Sequence, residues 1–598
     1  MNTVKRALFL TTLLLWAACG FDTGTRRSEE RPNVLIAISD DQSWPHASAY
    51  GSGWLETPHF DRIAREGIRF ENAFTTSPGC APSRASIVLG RFPWQNEHAG
   101  NHNSLWPAKY RPLPDLLAET GYLVGYTGKG VGPFHWALAG RYQNPAGSEY
   151  NGARLEPPFQ YISDIDYATN FQQFLSERDD SQPFFFWYGA TEPHRRYDIG
   201  AGERSGKSLD SVNVPSFLPD SEEVRGDLLD YAVEIEWFDK HLGRILEILE
   251  ASGELDNTLI IVTSDNGMPF PAAKANCYEY GTHVPLAIRW GREVTKPHVE
   301  NALISLADLM PTILDATSVP YPTEFPVSAQ SFIGLLRGDS NLPVREEVFF
   351  SRERHSSSRW SNLGYPQRSI RTQDYLYIRN FTPERWPAGA PVRLAEDGAL
   401  NPGFHDLDWG PDSGRSSGFL VKHRDNEPMR PLFDHALGKR PGEQLFDVVK
   451  DPECLNNLAE DPRFAGIRAS LSAKLEAFLR ETGDARIVGP DPDIFESYPR
   501  YAGIRTFPEP DWVREIDPAR LAQLVSRVDS DHSPIRPPAK IGDWGLEAGP
   551  WRLEKESDGS WNLTPADGSS QNDLNRQMPR LKSQLIRLFE WFSEADTG

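Results

Sequence analysis

The sequence predicts an α/β fold: a large, mostly parallel central sheet flanked by helices, with a smaller C-terminal α+β subdomain made of an antiparallel sheet plus a helix. Short, continuous apolar runs are typical of parallel strands that are covered on both faces. Helical patterns separate these runs, and this alternation indicates βαβ units. After about residue 341, short strand patterns alternate instead with loops rich in Pro, Gly and Asp, which predicts the second subdomain.

The first 30 residues have the pattern of an export signal followed by a polar tether. Two basic residues precede an apolar stretch, and Ala17-Ala18-Cys19 resembles the end of a bacterial lipoprotein signal. We therefore expect a signal peptide over residues 1–18, lipidation of Cys19 and a tether over 19–30. The alternative is an ordinary secretory signal. The expected location is the bacterial cell envelope, either the periplasm or the outer membrane as a lipoprotein.

Residues 31–340 are expected to form the N-terminal domain that contains the central sheet. Its predicted helices include 227–251, whose apolar residues recur with the 3.6-residue period of a helix facing a core. Residues 302–315 are expected to contain the last helix of this domain and to pack it against the core. The predicted strands are 33–39, 122–127, 183–188, 258–264 and 284–290, and the other predicted helices are 57–66 and 112–120.

The smaller subdomain is expected over residues 341–488. Its predicted strands are 347–351 and 375–379, and its predicted helix is 464–481. A Pro-rich extension over 489–598 follows, and the sequence assigns no role to it.

The composition limits the partners of the protein. The 598 residues include 62 Lys and Arg against 84 Asp and Glu, which gives a net charge of −22. We expect no nucleic-acid partner, and membrane contact only through the N-terminal lipid anchor, because such a charge repels polyanionic surfaces. An anionic small ligand would need a local positive pocket. Four cysteines are too few for a disulfide scaffold. The expected exported location permits a disulfide bond between Cys277 and Cys454, and the sequence leaves both the bonded and the free form open.

Polar residues follow four of the predicted strands, where ligands bind in open parallel sheets. Asp40-Asp41 and Asp265-Asn266 each come directly after a strand, and Lys129 and His194 follow two others. Carboxylate and amide oxygens suit a hard cation such as Ca²⁺ or Mg²⁺. Each of these residues alone also fits a helix cap, a turn or a surface charge. Their coincidence at four strand ends favours a functional site.

The segment Cys80-Ala81-Pro82-Ser83-Arg84 is the strongest local motif. Pro82 fits the first turn of a helix, so Cys80 would lie at a helix N-terminus, where the backbone N–H groups favour anions. Arg84 would add positive charge one turn further on. A free thiol beside a capping serine is the alternative interpretation.

This motif, followed by Gly90-Arg91, resembles the signature of the type I sulfatases, which are formylglycine-dependent members of the alkaline phosphatase superfamily. The resemblance covers roughly residues 31–484, and 265–271 is most similar to the sulfamidase-like (heparan N-sulfatase) branch. Further matching segments are 32–41, 57–62, 70–74, 278–285, 308–314 and 445–458.

The resemblance implies a sulfuric ester hydrolase that acts on a sulfated glycan, a polysaccharide or its oligosaccharide fragments. It implies that a formylglycine-generating or anaerobic sulfatase-maturing enzyme oxidises Cys80 to formylglycine. The hydrated aldehyde is a diol: one hydroxyl attacks sulfur and displaces the sugar oxygen or nitrogen. The second hydroxyl then loses its proton, which releases sulfate and regenerates the aldehyde. The resemblance also implies one Ca²⁺ per active site, held by Asp40, Asp41, Asp265, Asn266 and the oxygen derived from Cys80.

The remaining roles carry over in the same way. Arg84 and Lys129 would stabilise the diol and the sulfate charge, and His194 would transfer a proton. Lys274 would bind sulfate and assist the leaving group. His283 would contribute to substrate binding.

The chain departs from the family after the first lysine. The family commonly has histidine two residues after it, but here that position is Val131. His135 or Trp136 could fill the space, or one contact is absent.

Three other functions compete with a general carbohydrate sulfatase. One is the narrower activity of an N-sulfoglucosamine sulfohydrolase. Another is a metal-dependent phosphodiesterase or phosphatase, which would have Ser or Thr as nucleophile and usually a second metal site. The last is a non-catalytic, glycan-binding surface lipoprotein, which leaves the strand-end acids unexplained.

Overall fold

The computed structural model describes residues 31–179, 181–294, 296–339, 345–402, 414–522, 539–540, 545–548, 551–556, 560–565 and 586. The expected signal peptide, Cys19 and the tether lie outside these residues. Within the described part of the chain, the helices are all too short or too polar to cross a bilayer.

The central sheet has eight strands and confirms the predicted fold class. The strands Asn33–Ser39 and Thr258–Ser264 lie side by side in parallel register, with Ser39 opposite Ser264. The order of the strands across the sheet is His298–Ser305, Ile68–Phe74, Leu286–Arg289, Thr258–Ser264, Asn33–Ser39, Phe184–Gly189, Leu123–Gly128 and Ser148–Glu149.

All five predicted apolar runs are strands of this sheet, but one of them is antiparallel. Leu286–Arg289 pairs antiparallel with both of its neighbours. The preceding strand ends at the edge of the sheet that carries the strand-end acids, and the chain between them has only the short helix Glu279–Thr282. The chain therefore re-enters the sheet at the edge where it left, which requires the opposite direction.

Three strands of this sheet were not predicted, and one of them is the two-residue edge strand Ser148–Glu149. Ile68–Phe74 mixes apolar with charged residues, and only part of it is buried. Residues 302–305, expected in the last helix, end the strand His298–Ser305, and the helix that follows is Leu309–Thr317. Short apolar runs do not separate strand from helix, so this boundary was misplaced.

Helices cover both faces of the central sheet. Val34, Ile36 and Ile38 face one apolar core, whereas Leu35 and Ala37 face another, because successive side chains of a strand point to opposite faces. This burial on both sides explains the continuous apolar run. The helices are Pro58–Glu66, Cys80–Leu89, Leu113–Glu119, Tyr167–Ser176, Ala201–Arg204, Glu222–Ala251 and Leu309–Thr317.

The smaller C-terminal sheet is antiparallel throughout, as predicted. One of its faces packs against the helix Ala465–Glu481, which contributes Leu471, Leu475 and Leu479 to a core with Phe349. Its strands are Glu347–Arg352, Gln367–Thr372, Tyr375–Asn380 and Glu443–Asp447. The extension adds the antiparallel strands Ala539–Lys540, Gly545–Ala548, Trp551–Lys555 and Trp561–Pro565.

Candidate functional site

The acidic residues of the site extend from two adjacent parallel strands. Asp40 and Asp41 follow Asn33–Ser39, and Asp265 and Asn266 follow Thr258–Ser264. The backbone N–H of Asp41 donates to Asp265 Oδ1 at 3.1 Å, and Asn266 Nδ2 donates to Asp41 Oδ1 at 2.8 Å. Asp41 has a φ of 78°, a left-handed conformation that costs a non-glycine residue about 1 kcal/mol or more. The surrounding hydrogen bonds hold this strained turn in place.

Cys80 begins the helix Cys80–Leu89, as the motif predicts, and is fully buried. Its Sγ and single carboxylate oxygens of Asp40 and Asp265 all lie within 4.8 Å of one another. Arg84, also fully buried, donates from Nε to Asp265 Oδ2 at 2.6 Å and from Nη1 to the Lys129 carbonyl oxygen at 2.8 Å. One guanidinium therefore joins the helix to two strand ends.

Two lysines complete the charged group. Lys129 Nζ lies 2.5 Å from Asp40 Oδ2, and Lys274 Nζ lies 2.5 Å from Asp41 Oδ2. His194 is half-buried, with Nε2 3.8 Å from Asp41 Oδ2. The formal charge of the three aspartates is balanced by that of Arg84 and the two lysines. An added divalent cation would therefore make the site positive.

Burial and neighbouring charges shift the pKa values of the group. Burial opposes ionisation of Asp40, but Lys129 and the other nearby cations hold the pKa of Asp40 well below its usual range. Burial, followed by the nearby Asp40 carboxylate, raises the pKa of Asp265 to about 7. Burial also raises the pKa of the Cys80 thiol. An unmodified Cys80 is therefore a poor nucleophile, because the thiolate is the reactive form.

The oxygen atoms at this edge of the sheet fit a hard divalent cation. Asp40 Oδ1 and Asn266 Oδ1 are buried and accept no hydrogen bond from the described residues. Buried oxygens normally have partners, so these two are available as ligands. Carboxylate and amide oxygens are preferred by Ca²⁺.

The structure does not bring His283 into this group. Its ring is stacked between Trp44 and Phe74, with centroid distances of 4.3 and 4.6 Å. Its Nε2 lies 2.8 Å from the Glu71 carbonyl oxygen, and its Nδ1 lies 3.4 Å from Glu279 Oε2. Both faces of the ring are covered by aromatic side chains, and the substrate-binding role of His283 stays a prediction.

Sequence reasoning missed two histidines beside Cys80. His102 Nε2 lies 3.2 Å from Cys80 Sγ, and the His102 ring packs on His355 with a centroid distance of 4.6 Å. Burial, and then the charge of Arg500, lowers the pKa of His102 well below its usual range. No local pattern indicated either histidine, since His355 comes from a distant part of the chain. His135, raised as a replacement for the family histidine, packs near Tyr501 with a centroid distance of 5.2 Å.

Two family models match the chain. The sulfatase model covers residues 32–319, and the model described as N-sulphoglucosamine sulphohydrolase, C-terminal, covers residues 273–387. The first match contains all of the strand-end residues and the Cys80 motif. The second begins directly before Lys274 and extends into the smaller sheet.

Curated proteins and solved structures are similar to the chain over most of its length. Human N-sulphoglucosamine sulphohydrolase is 32% identical over 503 residues, covering 77% of this chain and 92% of its own. An ulvan-active sulfatase of Formosa agariphila is 24% identical, covering 76% of each chain. The solved structure of BT4656 in complex with its substrate D-glucosamine-2-N,6-O-disulfate has a TM-score of 0.54 at 20% identity, covering 78% of this chain and 99% of that one.

Proposed function

The chain belongs to the sulfatase family of sulfuric ester hydrolases, and from that premise we propose that it removes sulfate from a sulfated carbohydrate with a nucleophile made by oxidation of Cys80. The observation that carries the proposal is the position of Cys80 Sγ at a helix N-terminus, next to oxygens of Asp40 and Asp265. The resemblance to the type I sulfatases implies the conversion of Cys80 to formylglycine, whose hydrated form supplies a hydroxyl nucleophile. The poor nucleophilicity of the buried, unmodified thiol is consistent with that conversion.

We propose Ca²⁺ as the metal at this site. Asp40, Asp41, Asp265, Asn266 and the oxygen derived from Cys80 would hold it. A bound Ca²⁺ would polarise sulfate oxygens and promote ionisation of the nucleophilic hydroxyl. Asp40 Oδ1 and Asn266 Oδ1 support this assignment, because both are buried and accept no hydrogen bond within the described part of the chain.

The cationic side chains and His194 have separate tasks. Arg84 is fixed by its bonds to Asp265 and the Lys129 carbonyl, so it would present a preorganised charge to residue 80. Lys129 and Lys274 would bind the sulfate oxygens. His194 is half-buried beside Asp41, where it would exchange a proton with the leaving group.

An N-sulfated glucosamine is the narrower substrate that we propose to test first. The match of residues 273–387 to the N-sulphoglucosamine sulphohydrolase C-terminal model, and the 32% identity to the human enzyme of that name, favour it over other sulfated sugars. A metal-dependent phosphodiesterase is less well supported, because only one group of metal-ligating side chains is found in the described parts of the chain.

Peptide mass spectrometry and a substrate panel would test these proposals. The chain would be produced with and without a formylglycine-generating enzyme, and conversion of Cys80 lowers the mass of its peptide by about 18 Da. Converted protein would then be assayed for sulfate release from glucosamine N-sulfate, glucosamine 6-O-sulfate, galactosamine 6-O-sulfate and a phosphate monoester. Cleavage of phosphate but not sulfate by converted protein would reject the sulfatase proposal. Release from an O-sulfate alone would reject only the narrower substrate.

A further inference from the structure

His102 makes a direct contact with the residue that we propose as the nucleophile precursor. Its Nε2 lies 3.2 Å from Cys80 Sγ, and Asn103 Nδ2 donates to its Nδ1 at 3.0 Å. Because Nδ1 accepts a hydrogen bond, the proton of the neutral ring is on Nε2, which therefore donates toward the side chain of residue 80.

The ring of His355 packs against the ring of His102. The two rings lie 4.6 Å apart with an angle of 34° between them. His355 also packs against the residue that precedes Cys80: a Cβ atom on Gly79 would lie 2.7 Å from His355 Nδ1. Only glycine leaves room there, so the packing links His355, the start of the Cys80 helix and His102.

Residues 494–501 of the C-terminal extension form hydrogen bonds with the backbone at both histidines. Arg500 Nη1 donates to the His355 carbonyl oxygen at 3.1 Å and to that of His102 at 3.5 Å. The Tyr501 N–H donates to the Asn103 carbonyl oxygen at 2.9 Å. This segment lies beyond both family-model matches, which end at residues 319 and 387.

We propose that His102 is a further active-site residue, which donates a hydrogen bond to the oxygen derived from Cys80 and fixes its orientation, and that His355 and segment 494–501 position His102. The inference deepens the proposed function and rests on it for the identity of that oxygen. It also assigns a role to part of the extension. His102 would supply a contact that Val131 cannot make at the position where the family commonly has histidine.

Kinetics of converted protein provide the first test, with p-nitrophenyl sulfate as the probe. His102→Ala should convert normally, lose about 10²-fold in kcat and change KM little, since a preorganised donor to the reacting oxygen has an effect of that size. His102→Gln, which keeps an N–H donor, should recover part of the loss. His355→Ala and Arg500→Ala should lower kcat less. His298→Ala is the matched control, because that exposed ring lies at the start of the edge strand His298–Ser305, at the end of the sheet opposite the strand-end acids, and it should retain wild-type kcat.

A second readout does not depend on activity. In unconverted full-length protein with ¹⁵N-labelled histidine, the Nε2 resonance of His102, identified by its loss in His102→Gln, should shift on Cys80→Ala. An unchanged resonance, or a converted His102→Ala variant with wild-type kcat, would overturn the inference. Absent conversion and sulfate release in the wild type would instead count against the proposed function, and the resonance test would still decide the contact.

Discussion

Replacement of Cys80 should remove the activity while leaving the stability of the fold almost unchanged. We expect Cys80→Ala to abolish sulfate release while changing the free energy of unfolding by about 1 kcal/mol, since one buried sulfur is lost. Sulfate release by the variant would be compared with that of converted wild type, and thermal unfolding with that of unconverted wild type, which keeps the sulfur. Cys454→Ala removes another buried free thiol, outside the site, and should keep full activity. Turnover by Cys80→Ala would contradict the assignment of the nucleophile.

Asp265 is expected to couple metal binding to stability. A metal at 100 times its dissociation constant adds about 2.7 kcal/mol to the stability of the folded state. A chelator should therefore lower the Tm of the wild type but leave that of Asp265→Asn almost unchanged, as measured by scanning calorimetry. The exposed Asp434→Asn variant should respond to the chelator like the wild type. An equal response of all three proteins would exclude Asp265 as a metal ligand.

At the residue scale, strand ends were predictable and loop contacts were not. Asp40 and Asp265 follow continuous apolar runs, so their convergence could be inferred from the sequence alone. His102 lies in a loop, and its partner His355 arrives from the smaller sheet, so only the folded chain brings them together. His283 lies within a segment that matches the family, which suggested substrate binding, but its stacking on Trp44 and Phe74 depends on tertiary packing.

At the element scale, a buried ion pair joins the chain beside the site to the smaller sheet. Glu279, in the short helix Glu279–Thr282, accepts from Arg371 Nε of the strand Gln367–Thr372 at 2.7 Å. Burial opposes ionisation of Glu279, but Arg371 lowers the pKa of Glu279 to about 2 from an ordinary value of 4.5. A lowered folded-state pKa gives stability that is complete above the ordinary pKa and is lost as the pH falls from 4.5 toward 2.

Glu279→Gln should therefore destabilise the protein most near neutral pH. Removing one partner leaves Arg371 buried without its charge partner, which costs about 3–5 kcal/mol. The difference in free energy of unfolding from the wild type should shrink as the pH falls below about 4.5, because the wild-type carboxylate then becomes protonated. Urea unfolding of both proteins at a series of pH values would measure this difference in free energy of unfolding. Glu346→Gln, at an exposed site, should differ little from the wild type, and a difference for Glu279→Gln that grows toward acid pH would contradict the argument.

The bounds of strands and helices were predicted correctly where burial produces a continuous apolar run or a 3.6-residue apolar period in the sequence. The strands at 33–39 and 258–264 and the helix at 464–481 were placed almost to the residue. The direction of Leu286–Arg289 was not predictable, because direction depends on the connection and not on the apolar pattern of the strand itself.

At the scale of the whole molecule, the site and the expected anchor are separate parts of one chain. The residues of the site lie between Asp40 and Lys274, whereas the lipoprotein pattern ends at Cys19. We propose that the anchor determines only where the enzyme is located. A single acyl chain gives weak membrane binding, so stable attachment requires more than one chain on the modified N-terminal cysteine.

Replacement of Cys19 would test this separation. Expressed in a bacterium, the wild type should be recovered with the membranes and incorporate labelled palmitate, whereas Cys19→Ser should be soluble in the envelope fraction and unlabelled. Both should have the same kcat after conversion of Cys80, because the charged group is built entirely from later residues. Cys277→Ser, which changes a buried thiol, is the control and should stay with the membranes. A wild type without lipid would favour the ordinary secretory signal, and a large loss of kcat in Cys19→Ser would show that the anchor and the site are not independent.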